Sequence, residues 1–224
     1  MKVLAIDCAA SLCAACVYDA GAKRELGRSV LDLGKGHAEH LMAVIAEALT
    51  AGAMDYSGLG AIAVSVGPGS FTGLRVGVST ARGLALALKV PAIGVTTLEA
   101  LAAEAAAEFP GRPVLAALDA GREEIHAALY DERSVLTYAP AVVTLADAVA
   151  MAVDMAPVLA GTAAAQIAEA AARAFDIGPR TATADIATYA RLAAAKGAGD
   201  RPKPLYLRGA DAKPQAGFIL SRKN

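Results

Sequence analysis

Short apolar runs at the start of the chain are separated by turns of only a few residues. The runs at 3–7, 13–18 and 24–31 follow one another closely, so the pattern predicts three consecutive antiparallel strands. Longer segments with helical spacing then alternate with shorter apolar runs. In chain order we predict a helix at 37–51, a strand at 61–66, a helix ending near 88, a strand at 92–95 and a helix at 97–109 capped by Thr97.

The same order of elements recurs in the second half. In chain order we predict strands at 114–119 and 125–130, a helix near 145–152, a short strand at 158–160 and helices at 163–175 and 186–196. Both halves open with an apolar strand that ends in an aspartate, Asp7 in the first and Asp119 in the second. The pattern therefore predicts an α/β protein with a duplicated βββαβα unit.

Composition narrows the functional classes. Apolar residues make up 56% of the 224, and the excess is mostly alanine, which favours helices. The net charge of -1 does not suit a protein that grips a polyanion by itself. The most apolar region, 145–175, is interrupted by acidic residues, and the N-terminus has no signal-peptide pattern, so we expect a cytoplasmic protein without a membrane span.

Cys13 and Cys16 have the spacing of a redox pair. Residues three apart on a strand face opposite sides of the sheet, so the alternative of two small buried residues is preferred.

The segment 67–73 contains three glycines between a predicted strand and a predicted helix, where Ser70 and Thr72 can cap the first turn. A phosphate-binding loop would need a lysine that this segment lacks, and the glycines are out of step with a dinucleotide turn. Free backbone N–H groups can still hold an anion at this point. The residues predicted to lie near a nucleotide, if one binds, are Asp7, Gly69, Ser70, Thr72 and Arg75.

The helix that follows is apolar nearly all round and has small residues at four-residue spacing. A helix of this kind is covered on both sides, so we predict that one face meets another protein, together with the helix at 37–51. The alternative is that another helix of the same chain covers it. The predicted interface consists of Leu41, Met42, Ile45, Leu74, Val76, Thr80, Gly83, Leu84 and Ala87.

Five segments, in order along nearly the whole chain, resemble the signature of one known family. They are VLAIDCAASLCAACVYD (3–19), HAEHL (37–41), GPGSFTGLRVGVSTARGLA (67–85), ALDAGREEIHAALYD (117–131) and PLYLR (204–208). On these segments the chain resembles the TsaB family, also called YeaZ.

The resemblance implies a two-lobed ASKHA (actin/sugar kinase/Hsp70-like) fold. It implies a non-catalytic subunit of the machinery that makes N6-threonylcarbamoyladenosine (t6A) in tRNAs reading ANN codons. In that family the first two helices pair with TsaD, which carries the metal and the transferase site. TsaE, an ATPase, joins the pair, and TsaB also pairs with itself. No cofactor is expected to be held tightly by this chain, since ATP and Mg²⁺ are used by the complex, and tRNA contact is expected to be indirect or weak.

The expected division is an N-terminal lobe at 1–103 that carries the pairing helices, a C-terminal lobe at 104–209 and a basic tail at 210–224 that can pack on the N-terminal lobe. The sequence departs from the family pattern at a few positions. Cys8 and Ala9 stand where small hydroxyl residues are usual, and Gly121 and His126 replace an arginine and a tyrosine. These changes weigh against a nucleotide role for the cleft.

Two enzymatic alternatives remain. An ATP-dependent phosphotransferase of the same fold would use Asp7 and Asp119 to hold Mg²⁺ through water. A metallopeptidase would use His37 and His40, but a metal site needs a further ligand, and the only other histidine, His126, is far along the chain.

Overall fold

The apolar runs of the sequence form two mixed sheets. The computed structural model describes residues 1–207, and the predicted tail at 210–224 lies outside them. The first sheet has the order β3-β2-β1-β4-β5. Its strands are β1 (Lys2–Asp7), β2 (Leu12–Asp19), β3 (Arg24–Asp32), β4 (Ala61–Ser65) and β5 (Ala92–Val95). The helices of this half are α1 (His37–Ala51), α2 (Phe71–Leu88) and α3 (Thr97–Glu108).

The second sheet has the order β8-β7-β6-β9. Its strands are β6 (Val114–Asp119), β7 (Glu124–Tyr130), β8 (Leu136–Thr144) and β9 (Val158–Ala160). The helices are α4 (Leu145–Met155), α5 (Ala164–Ala170) and α6 (Ile186–Lys196). In each sheet the first three strands are antiparallel neighbours and the next strand returns parallel to the first, so the predicted βββαβα duplication is present.

The side chains of β1 alternate between two cores. Leu4 and Ile6 face the layer formed by α1 and α2, whereas Val3 and Ala5 face a core that also contains residues of α3 and α6. The helix α6 packs on the inner face of the first sheet, and α3 packs on the inner face of the second. A third core lies between the second sheet and helices α4 and α5. The protein therefore has five layers, with α3 and α6 between the two sheets.

This layering corrects the predicted boundary between residues 103 and 104. That boundary would cut α3, which runs from Thr97 to Glu108. It would also assign α6 to the second lobe alone, although α6 contacts β1, β2, β4 and β5 of the first sheet. Each half contributes one helix to the layer that joins the lobes, so the chain does not divide at a single point.

Two predicted helix ends were wrong. The N-cap of α3 is Thr96, whose side chain accepts a hydrogen bond from the N–H of Glu99, and Thr97 is the first helical residue. Helix α5 ends at Ala170 rather than near 175, because Ala172 adopts a left-handed conformation with φ of 48°. The chain then turns back, and Ile177 forms a parallel bridge with Leu159 of β9.

The cysteine pair faces opposite sides of the first sheet, as predicted: Cys13 lies in the core under α1 and α2, and Cys16 lies in the inner core. All three cysteines are buried and free. No helix within residues 1–207 is long and apolar enough to cross a membrane.

Candidate functional site

The glycine segment 67–73 packs the start of α2 against the loop that follows β1. The N–H of Ser70 donates a hydrogen bond of 2.7 Å to the carbonyl oxygen of Ala9. A Cβ on Gly69 would lie 2.3 Å from that same oxygen, and a Cβ on Gly73 would lie 2.0 Å from the carbonyl oxygen of Cys8. Real contacts are never this short, so these two glycines are required by packing within the chain.

Ser70 is the N-cap of α2, as predicted, and its hydroxyl accepts a hydrogen bond of 3.2 Å from the N–H of Gly73. Gly67 has a left-handed φ of 99°, which reverses the chain after β4. Thr72, the other predicted cap, is an exposed residue in the first turn of the helix and does not cap it.

Asp7 is buried at the end of β1 and accepts three hydrogen bonds. Its carboxylate accepts one from the N–H of Ala9 at 2.9 Å, one from the hydroxyl of Ser65 and one from the hydroxyl of Thr183 at 2.6 Å. The hydroxyl of Thr183 also shares a hydrogen bond of 2.7 Å with Tyr189 of α6. Burial raises the pKa of Asp7 above its usual value, although the hydrogen bonds oppose that effect. Asp7 therefore joins β1, β4 and α6.

A cleft of about 850 Å³ lies between the lobes. On the first lobe its walls include Ala9, Gly69, Ser70 and Arg75, and on the second lobe they include Asp119. Of the five residues predicted to lie near a nucleotide, Gly69, Ser70 and Arg75 line this cleft, whereas Asp7 and Thr72 do not. Asp7 lies buried behind the wall, where its carboxylate accepts hydrogen bonds from its own neighbours, and its proximity to a nucleotide stays a prediction.

The mouth of the cleft carries a cluster of two aromatic rings and one arginine. The guanidinium of Arg75 lies 3.7 Å from the ring centre of Phe71, and its Nε donates a hydrogen bond of 2.9 Å to the hydroxyl of Tyr206. The two rings lie 5.2 Å apart. Phe71 and Tyr206 are about half exposed, so the cluster presents flat apolar surface beside a positive charge.

The second lobe contributes one carboxylate to the cleft. Asp119 is exposed, its N–H donates a hydrogen bond of 2.9 Å to the hydroxyl of Thr162, and its Oδ1 accepts one of 2.7 Å from the N–H of Gly121. The cleft can therefore hold a small polar molecule between an arginine and a carboxylate.

The two histidines of the metallopeptidase alternative lie at the start of α1. His37 is buried, and its Nε2 lies 3.2 Å from the carbonyl oxygen of Leu12, whereas His40 is exposed. Among the described residues, no three side chains of the metal-binding types lie close enough to hold an ion.

The outer face of α2 contains the exposed part of the predicted interface. Gly83 and Ala87 are exposed, and a Cβ on Gly83 would have no atom within 4 Å. Leu86, between them, is 78% exposed, and Met42 on the neighbouring α1 is 50% exposed. These four residues are here called the α1/α2 face, and all four are apolar and exposed.

Three residues of the predicted interface are buried within the chain. Leu41, Ile45 and Leu74 are at most 1% exposed, because α1 and α2 turn these side chains toward the sheet and the glycine turn. They offer no surface to a partner, which corrects the predicted set. Val76, Thr80 and Leu84 are partly buried, and the contact of any of these residues with a partner stays a prediction.

Comparisons with known proteins agree with this architecture. A family model described as TsaD, tRNA N6-adenosine threonylcarbamoyltransferase, matches residues 32–196. An uncharacterized protein of Mycobacterium bovis is 35% identical over 96% of this chain and 95% of its own length. The TsaB protein of Escherichia coli K12, named for tRNA threonylcarbamoyladenosine biosynthesis, is 35% identical over 133 residues. The chain belongs to the TsaB (YeaZ) family.

The extent of the match differs between TsaB relatives. The match to the Escherichia coli protein covers 58% of this chain and 55% of that protein, so the chain spans about half the length of this relative. A solved structure from Pseudomonas aeruginosa, described as similar to peptidase YeaZ, has a TM-score of 0.73 at 26% identity and covers 92% of this chain and 99% of that one. A second, described as YeaZ from the same organism, has a TM-score of 0.56 at 30% identity and covers 64% and 66%. The expected two-lobed α/β fold of the TsaB family is confirmed.

Two features of this TsaB-family chain were missed by the sequence analysis. The contact of Phe71 with Arg75 follows helical i, i+4 spacing and could have been predicted from it. Tyr206 joins them from 131 residues away, which no local pattern indicates. The exposure of Leu86 could also have been inferred, because it lies between two exposed small residues on one face of the helix.

Proposed function

We propose that the chain is a non-catalytic subunit in the formation of t6A on tRNA, and that it pairs with a TsaD-type partner through the α1/α2 face. Membership of the TsaB family and the name of the Escherichia coli relative support the pathway. The partner TsaD, the joining of TsaE and self-pairing through the same face are part of this proposal. We expect the work to take place in the cytoplasm, with ATP and Mg²⁺ used by the complex.

The observation that carries this proposal is the position of Gly83. It lies in the interior of an exposed helix face with open space around its Cα. Alanine there would stabilise the helix by about 1 kcal/mol. Within residues 1–207, no neighbouring atom requires a glycine at this point, in contrast to Gly69 and Gly73. A close approach by another protein would require it.

The test of the function is reconstituted threonylcarbamoyl transfer to tRNA. Purified partner proteins are assayed with and without this chain, and the modified nucleoside is measured. We expect efficient transfer only when the chain is present. Equal transfer without the chain would overturn the proposal.

A phosphotransferase is the second candidate, favoured by the size of the cleft and by Asp119 on its wall. Against it, Asp7 is fully engaged by its own neighbours and does not line the cleft. We expect the isolated chain to hydrolyse ATP no faster than an Asp119→Asn variant. Turnover well above that variant would favour the phosphotransferase.

A further inference from the structure

A second groove, of about 450 Å³, lies at the C-terminal end of α2, next to the α1/α2 face. Three basic side chains line it: Arg82 and Lys89 come from α2 and its C-cap, and Arg201 comes from the segment after α6. All three are exposed. Among the described residues, no acidic side chain lines the groove.

These three cations differ from four basic residues that are engaged by side chains of the protein itself. Arg28, Arg112 and Lys196 each form an ion pair with a carboxylate of the chain, and Arg75 is held by two aromatic rings. No carboxylate within residues 1–207 forms an ion pair with Arg82, Lys89 or Arg201. Three neighbouring like charges repel one another, and a carboxylate placed between them would relieve that repulsion.

The groove is also continuous with the apolar surface of the α1/α2 face. Gly83 and Leu86 line both, and the remaining wall is made of small or aliphatic side chains. This surface combines an exposed leucine with cations. It is therefore complementary, in polarity and in charge, to a protein segment in which acidic and apolar side chains are neighbours. Among the described residues no aromatic side chain lines the groove, whereas single-stranded RNA is held by aromatic stacking.

We infer that this groove receives an acidic segment of the pairing partner, with carboxylates between Arg82, Lys89 and Arg201 and an apolar side chain against Leu86. This inference rests on the proposed function. It assigns to the partner a specific chemistry, since the surface that covers the end of α2 must be negatively charged. The charges fix which way the partner lies along α2 and raise its rate of association.

The experiment measures the affinity of the full chain for purified TsaD across a range of salt concentrations. The test variant carries Arg82→Glu with Lys89→Glu. The control carries Arg133→Glu with Arg180→Glu, two exposed arginines of the second lobe, which gives the same change in net charge. We expect the test variant to bind roughly 10- to 100-fold more weakly, with little remaining salt dependence, and the control to bind like the wild type.

The other outcomes overturn the inference. Unchanged affinity and salt dependence in the test variant, while Gly83→Arg still abolishes pairing, would refute the acidic segment and leave the proposed function standing. No pairing of the wild type would instead refute the proposed function. If the test variant lost only tRNA binding, in a gel-shift assay, the groove would bind phosphate. If it lost only self-association, in sedimentation, the occupant would be a second copy of the chain.

Discussion

Gly73 and Gly83 lie on the same helix, but the surroundings of the two glycines differ. Gly73 meets the carbonyl oxygen of Cys8, and a Cβ there would lie 2.0 Å from it. Gly83 faces open space on the exposed side of α2. The first glycine is explained by packing within the chain, whereas no contact among residues 1–207 explains the second.

We therefore predict opposite effects of one substitution at the two positions. Gly73→Ala should lower the free energy of unfolding by roughly 1–3 kcal/mol, because the added methyl group overpacks the contact with the β1–β2 loop. Gly83→Ala should raise it by about 0.5–1 kcal/mol, because alanine favours the helix and nothing is displaced. Urea unfolding of both variants measures this, and a loss of stability in Gly83→Ala would contradict the account.

Asp7 gives a prediction about pH. Burial raises its pKa above 3.8, so the folded chain binds this proton more tightly than the unfolded chain. Its contribution to stability is present at low pH and is lost as the pH rises from the unfolded pKa through the folded one. In Asp7→Asn the amide can still accept from the N–H of Ala9 and donate to Thr183, but it does not titrate.

The stability of Asp7→Asn relative to the wild type should therefore increase as the pH rises above 3.8, by about 1.4 kcal/mol for each unit by which the pKa is raised. Unfolding in urea at a series of pH values measures the difference. A difference that stays constant with pH would show that the carboxyl group titrates alike in the folded and unfolded chain.

At the scale of the element, helix α6 begins at a residue with two roles. Asp185 is its N-cap and accepts a hydrogen bond of 2.9 Å from the N–H of Ala187. It also forms an ion pair of 2.8 Å with Arg28 of β3, in which both side chains are more than 40% exposed. The cap stabilises the first turn of α6, and the ion pair connects that turn to β3 of the first sheet.

The two roles can be separated by substitution. Asp185→Ala removes both the cap and the ion pair with Arg28 and should cost about 1 kcal/mol of unfolding free energy or more. Arg28→Ala leaves the cap in place and removes the ion pairs of Arg28 with Asp185 and Glu25, and it should cost less, within about 0–1 kcal/mol, because exposed ion pairs are screened by water and salt. Thermal or urea unfolding measures both losses. A larger loss in Arg28→Ala would show that the ion pair, not the cap, holds the start of α6.

Element positions were predictable because strand and helix periodicities are local properties of the sequence. The limits of β5, β9 and α6 agree with the prediction. The end of α5 was missed because an alanine-rich segment favours helix throughout, and only the return of the chain to β9 requires the turn at Ala172. The buried state of Leu41 and Ile45 could not be separated from a partner contact, because a sheet and a partner both demand apolar residues on a helix.

At the scale of the whole molecule, α3 of the first half packs on the second sheet and α6 of the second half packs on the first sheet. This exchange of helices could not be predicted from the sequence. The apolar periodicity of a helix shows that one of its faces is buried, but it does not indicate which sheet covers that face. The exchange makes the inner layer a shared one and leaves α1 and α2 on the outside of the first lobe. The α1/α2 face therefore points away from the inner layer, where a second protein can reach it.

This arrangement also places the proposed pairing residues of α2 away from the cleft between the lobes. Leu86, Gly83 and Ala87 lie toward the C-terminal end of α2, whereas Ser70 and Arg75 lie at its N-terminal end beside the cleft. A substitution at the outer face should change pairing without changing the cluster of Phe71, Arg75 and Tyr206 at the cleft mouth. The central claim can thus be tested without disturbing the rest of the molecule.

The most direct test is the pairing of the chain with purified TsaD, followed by size-exclusion chromatography and calorimetry on three proteins. These are the wild type, Gly83→Arg and the matched control Ala150→Arg, which places the same charge on an exposed position of α4 in the second lobe. Circular dichroism checks that both variants remain folded. The account predicts that the wild type and Ala150→Arg co-elute with TsaD, whereas Gly83→Arg elutes alone with its affinity reduced by roughly 100-fold or more. Normal co-elution of a folded Gly83→Arg variant would contradict the claim that this face is the pairing surface.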